Sequence, residues 1–309
     1  MGKTSIAWTE QTWNPLRGCS RVSEGCRNCY AEKMAARFAG PGGPYEGTVT
    51  DKGRWNGTVK LVMEHLGDPL RWTKPRLVFV NSMSDLFHDD VSNEFIAAVF
   101  GVMAASPRHT FQVLTKRPER MRAWFEWITA LPTPPTYTCS YFAFKFATDV
   151  KTAVAVGPAQ DATYVAGPWP LVNVWLGVSV EDQRAADTRI PLLLSTPAAV
   201  RWISAEPLLG LLGPVDLSAY LAPAPGGTPA LDWVVVGGES GPGARPCDVG
   251  AIRSIVAQCK AAGASCFVKQ LGADPYNFGR CVDLPRHPKG GDPAEWPEDL
   301  RVREWPEAK

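Results

Sequence analysis

The chain has 309 residues, 45% of them hydrophobic and 20% charged, a composition that excludes a disordered or collagen-like protein. With 32 Lys and Arg against 31 Asp and Glu the net charge is +1, so bulk charge does not hold this chain on nucleic acid, although a local basic groove stays open. No apolar run is long enough to cross a membrane, and the opening Met1-Gly-Lys-Thr-Ser-Ile-Ala-Trp-Thr-Glu has no signal-peptide core. The expectation is a cytoplasmic protein without a membrane span.

Taken in order, short apolar runs alternate with helical stretches. A first strand is expected at residues 5–9. Others follow at 77–80, 110–114, 174–180, 200–203, 233–236 and 266–268, each nearly continuous in apolar residues, as strands covered on both faces are. Helices are expected at 30–38, from a Ser92 cap to Ala105, at 117–128, at 182–194 with Pro191 as a kink or end, and at 249–262 between an Asp248 cap and Gly263. This alternation predicts parallel strands joined by helical crossovers. The expected fold is α/β, an incomplete parallel (β/α) barrel of six to seven strands, with a doubly wound sheet as the competing architecture. Residues 1–271 form the barrel, and residues 129–172, rich in Pro, Thr and aromatics, read as an insertion or long loop. Residues 213–231 read as a surface loop, and 272–309 as an irregular extension packed on the barrel.

The most informative segment runs from Gly18 to Tyr30, where Cys19, Cys26 and Cys29 form a C-x6-C-x2-C triplet between a strand and a helix. Three thiolates on one loop can hold three irons of a [4Fe–4S] cluster, and the three sulfurs are then expected to converge. No His or Cys lies between Tyr30 and His65 to supply a fourth local ligand. A structural zinc site wants four protein ligands, whereas a three-ligand site keeps one position open. The alternatives are a zinc or cluster site completed by Cys247, Cys266 or Cys281, and plain thiols.

The triplet belongs to a longer set of motifs. These are Trp8-Thr-Glu-Gln-Thr-Trp-Asn-Pro, Cys26-Arg-Asn-Cys-Tyr-Ala-Glu, Phe79-Val-Asn-Ser-Met-Ser-Asp-Leu-Phe-His, Val113-Leu-Thr-Lys-Arg-Pro, Trp175-Leu-Gly-Val-Ser-Val-Glu, Ser204-Ala-Glu-Pro-Leu, Val236-Gly-Gly-Glu-Ser-Gly, Val268-Lys-Gln and Lys289-Gly-Gly-Asp-Pro-Ala-Glu-Trp-Pro-Glu-Asp-Leu. In these stretches the chain resembles a phage and prophage protein family of unknown function grouped with radical S-adenosylmethionine (SAM) proteins. The resemblance covers nearly everything except 129–172. It implies a barrel of the radical-SAM type, a [4Fe–4S] cluster on Cys19, Cys26 and Cys29, and SAM chelated by the open iron. It departs from the mainstream pattern, C-x3-C-x2-C with an aromatic before the last cysteine; here the first gap is six and Tyr30 follows the cysteine.

Polar residues recur just beyond the strands, where parallel α/β folds bind ligands, and six such ends would share a cavity. The candidates to meet SAM are Ser82, Ser84, Asp85, Ser179, Glu181, Glu206, Gly237, Gly238, Glu239 and Ser240. Lys116, Arg117 and Lys269 are candidates for substrate. His88, Asp89 and Asp90 read as a solvated acidic loop, and Trp55, in a basic glycine-rich loop, as core packing or a base-stacking ring. The resulting expectation is a radical-SAM isomerase or base-modifying enzyme acting on a pyrimidine in phage DNA or a nucleotide, in the host cytoplasm, with flavodoxin or ferredoxin as electron donor. The competing reading is a non-enzymatic Fe–S or zinc module that binds nucleic acid or a partner protein.

Overall fold

The computed structural model of the chain describes residues 4–156, 167–209, 215–222, 230–277, 280–281 and 287–307. Its main sheet has seven parallel strands, β1 (Gln11–Trp13), β2 (Leu77–Val80), β3 (Thr110–Thr115), β4 (Val174–Ser179), β5 (Val200–Ala205), β6 (Trp233–Gly237) and β7 (Ser265–Gln270), hydrogen-bonded in sequence order. A doubly wound sheet reverses its strand order at a switch point. No reversal occurs here, so the winding is single and the competing architecture is set aside. No helix of the described residues is long and apolar enough to cross a membrane.

The first strand is corrected from 5–9 to Gln11–Trp13. Register decides this: Gln11 pairs with Val78 and Trp13 with Val80, which buries the Trp13 indole completely. Thr9 leads into the strand, its hydroxyl donating to the Leu77 carbonyl at 3.0 Å.

Contacts divide the chain into two compact units. The first comprises Met1–Val22, Cys29–Leu176 and Thr196–Ala199; the second comprises Ser23–Asn28, Gly177–Ser195 and Val200–Lys309. In the first, α1 (Tyr30–Arg37), α2 (Asn93–Ala104) and α3 (Pro118–Ala130) follow strands or the cysteine loop. Helix α2 opens on Ser92, whose hydroxyl caps the Phe95 amide at 3.2 Å, and Pro118 occupies the first turn of α3. Phe87, Phe95, Phe100 and Trp124 are fully buried around them. The segment 129–172 is more regular than expected. It carries α4 (Pro135–Phe146) and α5 (Val150–Val156), while its residues 157–166 lie outside the described residues. Helix α4 packs on α2 at Gly101, where a Cβ would stand 2.2 Å from the Cys139 carbonyl oxygen.

In the second unit, α6 (Gln183–Leu194) and α8 (Val249–Ala262) lie between strands of the sheet, and Trp202, Trp233 and Phe267 form a buried aromatic column. Pro191 sits inside α6, and α8 ends on Gly263 in the left-handed conformation, φ +71°. Of the expected loop 213–231, residues 215–222 and 230–231 are described and include the short α7 (Ser218–Leu221). The tail is also more regular than expected. Pro275–Asn277 pairs with Cys247–Asp248, and Val302 and Glu304 exchange backbone hydrogen bonds of 2.9 Å with Val268 and Cys266 of β7. That contact covers the outer edge of the last strand, which would otherwise present unpaired amides.

Candidate functional site at the cysteine loop

Within the first unit, the chain leaves β1 through Leu16–Arg17, paired with Lys60–Leu61, and turns at Gly18. Gly18 has φ +92° and bridges Ser84, and a Cβ there would stand 2.1 Å from the Thr58 carbonyl oxygen, so only glycine fits. Cys19 follows directly. It packs, with Cys29, against the apolar cluster of Ala31, Ala35 and Trp55, joined by Tyr45, Val49 and Met83. Trp55 is therefore a core ring, not an open stacking platform. Helix α1 supports the arrangement through buried Glu32, which accepts from Arg21 Nε at 2.9 Å and from the Trp55 amide at 3.1 Å.

A buried polar network stands behind Cys19. Arg117 donates to Asp85 Oδ2 at 3.0 Å, to the Ser20 hydroxyl at 2.7 Å and to the Ser20 carbonyl at 3.2 Å, and its Nη1 lies 4.0 Å from the Cys19 sulfur. Asp85 also accepts from the Thr115 hydroxyl at 2.8 Å and from the amides of Phe87 at 3.0 Å and Lys116 at 3.1 Å. His88 is buried and its Nε2 meets the Ser20 hydroxyl at 2.9 Å, which corrects its reading as part of a solvated loop, whereas Asp89 and Asp90 are exposed as expected. Burial, followed by the charge of Asp85, pushes the Cys19 thiol up to about 12, with Arg117 acting in the opposite direction. Ser82 and Ser84 serve the same frame: their hydroxyls donate to Asn14 Oδ1 at 3.2 Å and to the Leu16 carbonyl at 3.1 Å.

Within the second unit, residues 23–28 meet the groups beyond β4 and β6. Glu181, 1% exposed, accepts from Arg189 at 2.7 and 3.3 Å and from the Ser23 hydroxyl. Arg189 also donates to the Ser179 carbonyl at 2.7 Å. Gly25 lies flush on Glu181, where a Cβ would stand 2.9 Å from Oε1. Glu239 accepts from Arg245 Nη2 at 2.7 Å, Arg245 Nε at 3.1 Å, the Arg245 amide at 2.9 Å and Asn28 Nδ2 at 2.9 Å. Arg245 Nη1 reaches the Glu24 carbonyl at 3.0 Å. Burial raises the Glu239 carboxyl, but the hydrogen bonds from Arg245 and Asn28 outweigh it and hold the group below the usual carboxylate range. Glu206 is paired with Lys269, at 2.7 Å to both oxygens, and with Gln270 at 3.0 Å. Gln270 donates onward to the Gly238 carbonyl at 2.9 Å, and the Gly237 carbonyl accepts from the Leu208 amide at 3.0 Å. Ser240 is half-buried.

The four carboxylates expected to meet a cofactor thus each carry a cation already: Asp85 with Arg117, Glu181 with Arg189, Glu206 with Lys269, and Glu239 with Arg245. Lys116 enters the frame through its backbone amide. Among the described residues no group of three or more His, Cys, Asp or Glu side chains stands at metal-binding separation. Cys19, Cys26 and Cys29 are free and half-buried, whereas Cys139, Cys247, Cys259 and Cys266 are free and buried. The Cys281 side chain lies outside the described residues.

Sequence reasoning missed Ser20, Ser23, Asn28, Arg189 and Arg245. Ser20, Ser23 and Asn28 had a local signal, their place between the cysteines; the arginines pair across 8 and 6 residues with no motif to mark them. Asn81 ends β2 with φ +58°, and neither atom of its buried side-chain amide finds a partner. Strain and an unsatisfied amide at a strand end are features of ligand sites, and neither can be read from sequence.

The fold and the loop define an α/β protein with a singly wound parallel sheet and a three-thiol segment after its first strand. Residues 3–284 match the model of the family described as "Protein of unknown function (DUF5131)", and the chain belongs to that family. No curated protein and no solved structure matches it.

Proposed function

We propose that this protein is a radical-SAM iron–sulfur enzyme, with a [4Fe–4S] cluster on Cys19, Cys26 and Cys29 and a partial barrel of that class. The observation that carries the reading is the contrast among its thiols. Three free, half-buried cysteines share an eleven-residue loop, with Arg117 beside one sulfur and apolar Trp55, Met83 and Ala35 behind two of them. Thiolates, an apolar shell and a neighbouring cation suit a cluster. Cys247 and Cys266 fit poorly as a fourth ligand. Cys247 packs beneath Gly238, and the neighbouring Cys259 together with burial pushes the Cys266 thiol up.

A cluster held by Cys19, Cys26 and Cys29 would supply one-electron reductive cleavage of SAM at its S–C5′ bond, the chemistry that starts hydrogen-atom abstraction from a substrate. The electron comes from a small donor such as flavodoxin or ferredoxin. The chain's own groups would do the rest. Arg117 and Asp85 fix Ser20 beside Cys19, while Ser240 and the Asn81 side-chain amide have capacity to meet SAM. Residues 17–60 carry eight Lys and Arg against four Asp and Glu, in a chain of net charge +1. That local excess supports a polyanionic or nucleotide substrate, such as a pyrimidine of phage DNA in a host cytoplasm.

The test is an anaerobic assay of reconstituted protein for 5′-deoxyadenosine from SAM and a one-electron reductant. Formation at a rate above that of a Cys29→Ala variant is expected. Four-ligand zinc, or a cluster inert to SAM, would overturn the reading in favour of a non-enzymatic metal module.

A further inference from the structure

Three elements of the second unit converge on one short stretch of chain. Cys26 lies in Glu24–Cys26, a single 3-10 turn without a buried residue or a side-chain cap. A turn this small does not hold itself. Its neighbours on both sides are nevertheless fixed. On the N-terminal side the Ser23 hydroxyl donates to Glu181, and Gly25 rests against the same carboxylate with no room for a Cβ. On the C-terminal side Asn28 Nδ2 divides its protons between Glu239 Oε2 at 2.9 Å and the Gly243 carbonyl at 3.0 Å. Arg245 spans the two sides, with 2.7 Å to Glu239 and 3.0 Å to the Glu24 carbonyl. Glu181 and Glu239 are in turn held by Arg189 and Arg245, so the anchors themselves are rigid.

We infer that Glu181–Arg189 and Glu239–Arg245 are a clamp that positions Cys26, and that these carboxylates act on the loop and not on a bound cofactor. The cluster role of Cys26 rests on the function proposed above; the clamp itself does not. Charge-assisted hydrogen bonds are the strong ones, and each carboxylate spends its accepting capacity on an arginine and a loop side chain. A carboxylate so engaged has little left for a ribose hydroxyl or an amine. Gly25 follows from the same geometry: any side chain there would push the turn off Glu181.

The test uses loop-side variants that leave both ion pairs intact, Ser23→Ala, Asn28→Ala and Gly25→Ala, because removing a buried carboxylate risks the fold. In metal-free full-length protein, the alkylation rate of each cysteine is followed by peptide mass spectrometry. Alkylation of Cys26 is expected to rise about tenfold, which corresponds to ~1.4 kcal/mol, with Cys19 unchanged and the melting temperature nearly so. The reconstituted variants should lose iron to a chelator faster than the parent. Equal alkylation of Cys26 in variants and parent would overturn the clamp, as would a uniform rise at all three cysteines. If Cys26 is exposed by the variants but the parent binds no iron, the clamp stands and the proposed function fails. A Glu239→Gln variant adds a further discrimination: weakened SAM binding with unchanged Cys26 alkylation would return Glu239 to the cofactor.

Discussion

Cys19 and Cys26 sit on the same loop and are held in opposite ways. Beside Cys19 one buried cation does everything: Arg117 serves Asp85, both oxygens of Ser20 and the sulfur's surroundings. Around Cys26 the charges are reversed and divided, with two carboxylates each carrying its own arginine and its own loop contact. A hub and a divided clamp respond differently to damage. Interactions that share one group are coupled, so a hub is lost as a whole. Separate anchors fail one at a time.

The largest effect should come from breaking the hub. Arg117→Met leaves Asp85, with a side chain 8% exposed, buried without its cation. Breaking a buried pair from one side costs about 3–5 kcal/mol. Urea denaturation should show that loss, and a cost of a few tenths would remove the hub from the account. Next is Arg245→Met, whose side chain is 20% exposed and whose partner keeps Asn28. Hydrogen bonds to charged groups are worth about 1.5–3 kcal/mol, and the expected loss by the same measurement lies in that range. Asn28→Ala removes one loop contact and should cost about 0.5–1.5 kcal/mol, with its effect read mainly at Cys26.

The gentlest probe is pH. The Glu239 carboxyl is held below its reference value of 4.5, so its contribution to stability is fully present above pH 4.5 and is lost as pH falls through the lowered folded value. The stability gap between the parent and Glu239→Gln should therefore narrow in acid below pH 4.5. A gap that widens there would reverse the sign assigned to this group.

Much of this was legible in advance. Apolar runs located six of the seven strands, because strands covered on both faces leave a continuous signal. The first strand was misplaced because register against Leu77–Val80, not local composition, puts Trp13 in the core. Helices α4 and α5 were missed because a Pro- and Thr-rich stretch reads as loop, while contact with α2 decides otherwise. The cysteines stood out by spacing. The carboxylates Asp85, Glu181, Glu206 and Glu239 stood out by their place after strands, but their cations did not. Arg189 faces inward from a helix and Arg245 lies in the irregular stretch before Cys247, and only the fold brings either to its partner.

The proposed function requires the three-thiol loop to hold a cluster with one iron open to SAM. Electron paramagnetic resonance of the reduced, anaerobically reconstituted protein, with and without SAM, tests this directly. The expected result is a [4Fe–4S] signal that shifts when SAM is added, is absent after Cys19→Ala, Cys26→Ala or Cys29→Ala, and persists after Cys139→Ala or Cys259→Ala. A signal indifferent to SAM, or one lost equally with Cys139→Ala, would contradict it.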